Sequence, residues 1–510
     1  MTRLKTNVIA NFAGQGSATL IQLAITPVYI RWLGVEAYGL VGLQIALLTL
    51  SQALDFGISP TVNRELARHS AVSHDPDEAR DFVRTLEVAY WLIGCGIGLA
   101  ICAVAPYLST HWLQSSSLSV ATVEKSIKIM ALLIAAQWPL SFYQAGLLGL
   151  QRHRSLNIAR VAATVAAAIG GYILVVKVPS ITVFFWWQTA VHLVHVGLVA
   201  GLLWHWLPRS VRAARIRLEA VRHTGRFAAG MAVITVTAIV LAQLDRIVLS
   251  RIVPLEQFGY FVIGALIGYG PAALARPVFM SIFPRFSALV ASHDRAALND
   301  LYRGAWRLMM VLIVPGAAVI AVFSRELLLV WTRSFAVAHA AAPIAAVLVV
   351  GTVLNGLMNV PFALQLAHGW TRLAARVNLL LIGIAVPGIV ILTRLYGTVG
   401  ASAIWLLVNI VFIAVALPVT HRRLLPDAGA EWFLREVALP IMASSVAAVL
   451  CRLALPAPRG TGWIVLEIAF AWLAAEAALV LSNAHLRRDL KGWTLTLAKS
   501  ARMRSFEARA

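Results

Sequence analysis

Bare charge inside an apolar run is costly, so the residues that break this rule are the first candidates for function. Asp245 and Arg246 stand together in Leu241-Ala242-Gln243-Leu244-Asp245-Arg246-Ile247-Val248, and Arg276 stands in Ala273-Leu274-Ala275-Arg276-Pro277-Val278. Successive helical residues point about 100° apart, so Asp245 and Arg246 need not pair with each other. Each reads either as half of an ion pair to a neighbouring helix or as a group facing a wet cavity. A carboxylate such as Asp245 in a low-dielectric cavity can bind a proton or a cation, which makes it the candidate for coupling to an H⁺ or Na⁺ gradient. Arg276 reads either as an arginine snorkelling to the membrane surface or as a phosphate ligand, because its fork donates two parallel hydrogen bonds. Pro277 loosens the helix beside it. Asp55, in Leu54-Asp55-Phe56-Gly57-Ile58-Ser59-Pro60, reads as a helix cap, with ion coupling as its second reading. Arg64 and Glu65 suit a solvated loop, and Arg31 and Arg251 suit interface anchors. Arg64 and Arg31 are kept as further candidate ligands for an anion.

Uncharged polar residues form a second set: Asn11, Gln15, Gln22, Gln137, Gln144, Gln243, Asn355, Asn359 and Gln365. In lipid such side chains face other helices or a wet cavity. Interhelical hydrogen bonding and a glycan-lining role use the same residue types, so both readings stay open. Enzymatic chemistry finds little support. No GxxxxGK[ST], HExxH or Ser-His-Asp constellation occurs,. His192 and His195 are three apart, but no nearby carboxylate or Cys completes a metal site. Gly94, Gly96 and Gly98 lie in an apolar run and read as close helix packing. Cys95, Cys102 and Cys451 make no disulfide framework,.

The elements that position these residues follow from composition. Of 510 residues, 60% are hydrophobic and only 13% charged, against about 25% charged in an ordinary soluble domain. The fold class expected is an all-α polytopic membrane protein. Apolar runs lie near 7–30, 38–58, 86–106, 127–149, 157–177, 181–206, 227–250, 256–282, 305–324, 338–366, 375–394, 398–420, 435–455 and 462–483. Each is close to the ~20 residues that cross a bilayer, giving about fourteen spans and no room for a large extramembrane domain. The first run is too long for a signal peptide and reads as a span. The net charge of +21 would suggest nucleic acid in a soluble protein. Here roughly three in four Lys and Arg fall in alternate connecting segments, so the charge reads as topology, with both termini cytoplasmic and no nucleic-acid role.

The chain also repeats. Arg31-Trp32-Leu33-Gly34-Val35-Glu36-Ala37-Tyr38-Gly39 is echoed by Arg251-Ile252-Val253-Pro254-Leu255-Glu256-Gln257-Phe258-Gly259, and Ser155 through Arg160-Val161 by Thr371 through Arg376-Val377. The offset crosses six spans, which makes the halves parallel repeats. The expected organisation is a six-helix lobe over 1–210, a second over 211–420, a central cleft between them, two added helices over 421–483, and a basic tail over 484–510. Plain topology signalling accounts for the tail, with anionic lipid binding as its second reading.

Asn11 and Gln15, Leu33 through Leu40, Leu54-Asp55-Phe56-Gly57-Ile58 and Asn63-Arg64-Glu65-Leu66-Ala67 together resemble the bacterial polysaccharide transporter family of O-antigen and exopolysaccharide flippases. Its superfamily also holds multidrug extruders and lipid II flippases. The Asp245 segment, Phe258-Gly259-Tyr260 and Phe283-Pro284-Arg285 resemble the second half of that family. The resemblance implies a bacterial inner-membrane protein that moves undecaprenyl-diphosphate-linked oligosaccharide from the cytoplasmic to the periplasmic leaflet. It implies alternating access, no cofactor, and partners that include a polysaccharide polymerase and chain-length machinery. Arg276, Arg246 and Arg64 would offset the headgroup's charge. The other readings are a multidrug exporter, a polysaccharide polymerase or ligase, and a non-transporting scaffold. Exporters of cationic drugs favour acidic cavities, and the within-span arginines here favour an anionic substrate.

Overall fold

The structure, a computed structural model, describes residues 2–55, 57–71, 76–217, 236–237, 239–370, 372–425, 430–454 and 460–488. Phe56 and the tail residues Lys491, Lys499, Arg502, Arg504 and Arg509 lie outside the described residues, as do the side chains of Asn11 and Gln15. Among the described residues there is no strand.

The first helices are α1 (Thr2–Leu33), α2 (Val35–Ala53), α3 (Ile58–Ala71) and α4 (Pro76–Tyr107). They are followed by α5 (Val120–Gln137), α6 (Leu140–Gly149), α7 (His153–Lys177), α8 (Ile181–Trp206), α9 (239–252) and α10 (Leu255–Gly268). Then come α11 (Ala272–Ala291), α12 (Arg295–Thr332), α13 (Phe335–Leu357), α14 (Asn359–Ala367) and α15 (Arg372–Leu424). The chain closes with α16 (Ala430–Phe433), α17 (Leu439–Ala454) and α18 (Thr461–Ser482). Among the described residues, nine helices are long and apolar enough to cross a membrane, or ten if the bent pair α2–α3 counts as one span. The sequence map has more runs for identifiable reasons. The expected spans 375–394 and 398–420 both lie in α15, which is two helices meeting at a kink at Gly397, whose φ of 61° and ψ of −148° are open to glycine; the 53 residues enter the tally once,. The run 127–149 is two helices because Pro139 has no backbone N–H to continue α5 and instead starts α6,. The run 256–282 is broken at Gly270-Pro271 in the same way, between α10 and α11. The run 227–250 starts outside the described residues.

The chain forms two compact units, Met1–Val262 with Ile389–Thr393, and Ile263–Gly388 with Arg394–Ala510. The boundary at Val262 falls inside α10, well after residue 210. The reason is local: α9 and the start of α10 pack on the first helices. Leu255 N donates to Gln114 O at 2.8 Å, and Trp112 Nε1 donates to Ser250 Oγ at 3.0 Å. The loop that makes these bonds is held by Glu36, a buried carboxylate that accepts the backbone N–H groups of Ser116 (2.7 Å) and Ser117 (2.9 Å) and also their hydroxyls. The glutamate of the first repeat copy is thus a fastener for the loop that carries the second copy.

The two copies also touch directly. A Cβ on Gly39 would meet Leu255 O at 2.8 Å and Gly259 N at 3.3 Å, and a Cβ on Gly259 would meet the carbonyl oxygen and Cγ1 of Val35. Gly42 sits against Val262 in the same manner. Each pair joins repeat-equivalent positions, so α2 and the start of α10 cross with their backbones in contact about a local twofold relation. Small residues allow this approach.

In the second unit α11–α15 share one core that includes Phe286, Tyr302, Trp306, Met309 and Met310. The last helix pair is bound into this unit rather than appended loosely. Ala448, Ala471 and Ala475 pack on Val319 and Phe323 of α12, and Arg452 pairs with Glu326 at 2.6 Å. Glu436 draws in Arg307 at 3.4 Å and Arg303 at 3.9 Å.

Candidate functional site

Within the first unit, α1, α2, α5–α6, α7 and α8 enclose a cavity of about 480 Å³. Each helix contributes a stripe at three- and four-residue spacing, the repeat that keeps side chains on one face. α1 supplies Gln22, Thr26 and Tyr29, and α2 supplies Tyr38, Gln44 and Gln52. The α5–α6 break supplies Gln137, Trp138, Ser141 and Gln144, α7 supplies Arg160 and Thr164, and α8 supplies Phe184, Gln188, His192 and His195. Pro139 matters here, because ending α5 at Gln137 and restarting the helix brings Gln137, Ser141 and Gln144 to one wall.

The wall mixes polar groups with a larger share of apolar surface, and its charge is one-signed. Among the described residues that line it there is no Asp or Glu, and Arg160 is its one Lys or Arg. Arg160 is partly buried. Its Nη2 donates to Gln144 Oε1 at 3.3 Å and its Nη1 to Asn157 Oδ1 at 3.4 Å, both long for such bonds,. His195 lies within electrostatic range of Arg160 and His192. Its buried Nε2 has no hydrogen-bond partner, and the Oε1 of Gln137 is likewise buried without a donor. His192 Nδ1 is 2.7 Å from Gln188 O. Trp138 is fixed by donating from Nε1 to Ser51 O at 2.9 Å, and Tyr29 packs edge-on against Phe184 at 4.9 Å between centroids. Among the described residues no group of His, Cys, Asp and Glu is arranged to hold a metal.

The residues singled out in the sequence are distributed as follows. Gln22, Gln137 and Gln144 line the cavity. Arg246 donates from Nη1 to Gln243 Oε1 at 2.8 Å, and Asp245 is buried and accepts the Arg246 backbone N–H at 2.7 Å. None of these three α9 residues lines the cavity, although Arg246 lies within electrostatic range of Tyr38, which does. Asp55 caps α3: it accepts from Ser59 N at 3.1 Å and Ser59 Oγ at 2.8 Å, and also from the Tyr90 hydroxyl. Arg64 is exposed and pairs with Glu65 at 3.0 Å. Arg31 is exposed at the end of α1, and Arg276 is exposed on α11 in the second unit. Asn355 donates to Asn409 Oδ1 at 3.0 Å, Asn359 to the Asn355 carbonyl at 3.2 Å, and Gln365 to Thr420 Oγ1 at 2.7 Å. These three amides tie helices together.

Sequence reasoning misses Arg160, Gln44, Gln52, Gln188 and the Thr164 hydroxyl as members of the site. A signal is present as polar residues two turns apart on α2, Gln44 and Gln52, and one turn apart on α8, Gln188 and His192. Arg160 stands out in the sequence only as part of the repeat.

A many-spanned helical bundle whose one unit holds a cavity with amides, hydroxyls and an arginine, and no acid among its described lining residues, is the architecture of a membrane transporter. The fold is similar to that of a lipid II flippase, MurJ, in an inward closed conformation, with a TM-score of 0.69 at 13% identity over 95% of this chain and 99% of that one. It is also similar to an inward-facing multidrug resistance MATE family transporter of the MOP superfamily, with a TM-score of 0.64 at 15% identity over 81% of this chain and 96% of the other. A Shigella flexneri protein to which O-antigen transport is ascribed is 21% identical over 421 residues, which is 78% of this chain and 93% of its own length. Residues 4–290 match the family described as polysaccharide biosynthesis protein, and the chain belongs to that family.

Proposed function

We propose that the protein moves lipid-linked oligosaccharide repeat units from the cytoplasmic to the periplasmic leaflet of the bacterial inner membrane, with undecaprenyl diphosphate as the carrier. The cavity of the first unit receives part of the glycan, and its helices alternate between the two sides while the lipid tail stays in the bilayer. One observation carries this reading: in a member of the polysaccharide biosynthesis family, the cavity wall holds amides, hydroxyls and aromatic rings around Arg160 and lacks a carboxylate among its described residues. Amides and hydroxyls answer sugar hydroxyls, and an arginine answers an anion. An exporter of cationic drugs calls for the opposite sign of charge.

Depletion of the protein in its host tests the reading. Surface polysaccharide should fall, and single repeat units on undecaprenyl diphosphate should collect in the inner leaflet. Repeat units that reach the outer leaflet and stay unpolymerised would instead identify a polymerase or an assembly scaffold. Unchanged polymer and unchanged lipid intermediates, in a host with no second flippase, would overturn the proposal in favour of the exporter.

A further inference from the structure

We infer that the Arg160 wall of this cavity is a binding site for an acidic sugar, one whose ring carries a carboxylate, within the glycan. The inference deepens the flippase reading and rests on it for the lipid-linked context. The site itself rests on charge and hydrogen-bond accounting within one helical unit.

A guanidinium in a membrane-embedded wall calls for a counter-charge, because a charge without one is costly in such surroundings. Among the described residues that line the cavity, the protein supplies none. No Asp or Glu lines the cavity among the described residues, and Arg160 makes two long hydrogen bonds to neutral amide oxygens. A guanidinium has five donors, so capacity is left over. The counter-charge therefore comes with the ligand. Its geometry follows from the count of cations. One guanidinium fork matches one carboxylate through two parallel hydrogen bonds. A diphosphate carries more charge on more oxygens, and the cavity wall offers no second Lys or Arg among its described residues.

The rest of the wall suits a sugar ring. Gln137 lines it, and so does His195, which lies within electrostatic range of Arg160. Gln22 and Gln44 add further amides. The volume of about 480 Å³ lies within the ~300–1,000 Å³ typical of small-ligand sites. It accommodates a short stretch of glycan and excludes a folded lipid tail.

The test is equilibrium binding to the purified full-length chain in detergent, by calorimetry, with three probes. They are a glucuronate-containing trisaccharide without phosphate, a matched trisaccharide with glucose in place of glucuronate, and undecaprenyl diphosphate without sugar. The acidic trisaccharide should bind about tenfold more tightly than the neutral one, the value of one charge-assisted pair. Arg160→Gln should bring the ratio of the two trisaccharide affinities to about one, while undecaprenyl diphosphate still binds. Arg160→Lys should retain part of the preference, which separates loss of charge from loss of fold. Equal binding of the two trisaccharides, no binding of either, or an Arg160→Gln variant that loses undecaprenyl diphosphate instead would each overturn the inference. None of these outcomes depends on whether the protein flips lipid, so failure here stays distinct from a depletion experiment that finds no role in polysaccharide export.

Discussion

Arg160→Glu is expected to abolish surface polysaccharide while the protein remains in the membrane at close to normal amount. Its neighbours explain why the fold tolerates the change. Arg160 is held by the amide side chains of Gln144 and Asn157, with no ion pair to a carboxylate among the described residues. An amide presents an oxygen on one side and an NH₂ on the other, so Gln144 can turn and donate to the new carboxylate while Asn157 keeps its bond to the His153 carbonyl at 2.9 Å,. No buried acid is left stranded. Transport has no such escape. The variant removes the one cavity-wall cation among the described residues and puts a negative charge where the ligand's own charge must sit. Losing one partner of a buried, hydrogen-bonded charge pair costs about 2–5 kcal/mol. Taking about 3 kcal/mol, the affinity for an acidic glycan falls on the order of a hundredfold. The measurement is polymer yield together with the amount of protein in the membrane fraction. Normal polymer at normal protein level would show that the Arg160 wall does not contact cargo.

The second large effect is structural. Gly259→Ala should sharply reduce the amount of folded protein and lower its unfolding midpoint. The added methyl would collide with the carbonyl oxygen of Val35 and sit 2.8 Å from its Cγ1. A side chain can rotate away from a clash, but a backbone carbonyl in a helix cannot, so α2 and α10 would have to separate. Overpacking typically costs about 1–3 kcal/mol, and a clash with backbone belongs at the upper end. The strain would spread to Gly39 and Gly42, which use the same contact. Gly96→Ala is the control, because nothing lies within 4 Å of a Cβ there. That substitution should be neutral or slightly stabilising, since alanine is the better helix former by about 1 kcal/mol. If both variants behave alike in thermal unfolding, the close approach of the two repeat copies is not a structural requirement.

This contact also shows how much the sequence makes legible. The recurrence of Arg, Glu, an aromatic and Gly at a fixed offset is visible in the residues alone. Its reason is not: Gly39 and Gly259 recur because each lies against the other copy, and Glu36 recurs as a residue type while in the first copy it fastens the loop leading to Ser116 and Ser117. Helical runs are readable because a bilayer demands long apolar stretches. The break at Gly397 falls between two of the expected runs, whereas the break at Pro139 is harder, since proline also occurs within continuous spans.

The cavity is only partly readable. Gln22, Gln137 and Gln144 line it, whereas Asn355, Asn359 and Gln365, of the same residue type and in equally apolar runs, bond to neighbouring helices. Residue type fixes the need for a partner and leaves its identity to packing. Charge inside apolar runs draws attention to Asp245, Arg246 and Arg276, whereas Arg160 is close to the start of α7 and passes for an ordinary topology charge. Six helices must come together before the wall around it is seen to hold no acid among its described residues.

The central claim is movement of lipid-linked glycan, and reconstitution tests it most directly. Purified protein would be placed in vesicles whose membranes contain undecaprenyl-diphosphate-linked oligosaccharide with a labelled sugar. A membrane-impermeant glycan-modifying enzyme is then added outside. The account predicts that modification proceeds past the outer-leaflet half towards completion with the wild-type chain, and stops at about half with Arg160→Glu or with empty vesicles. Modification that stops at half with the wild-type chain, in vesicles where the protein is folded and correctly inserted, would contradict it.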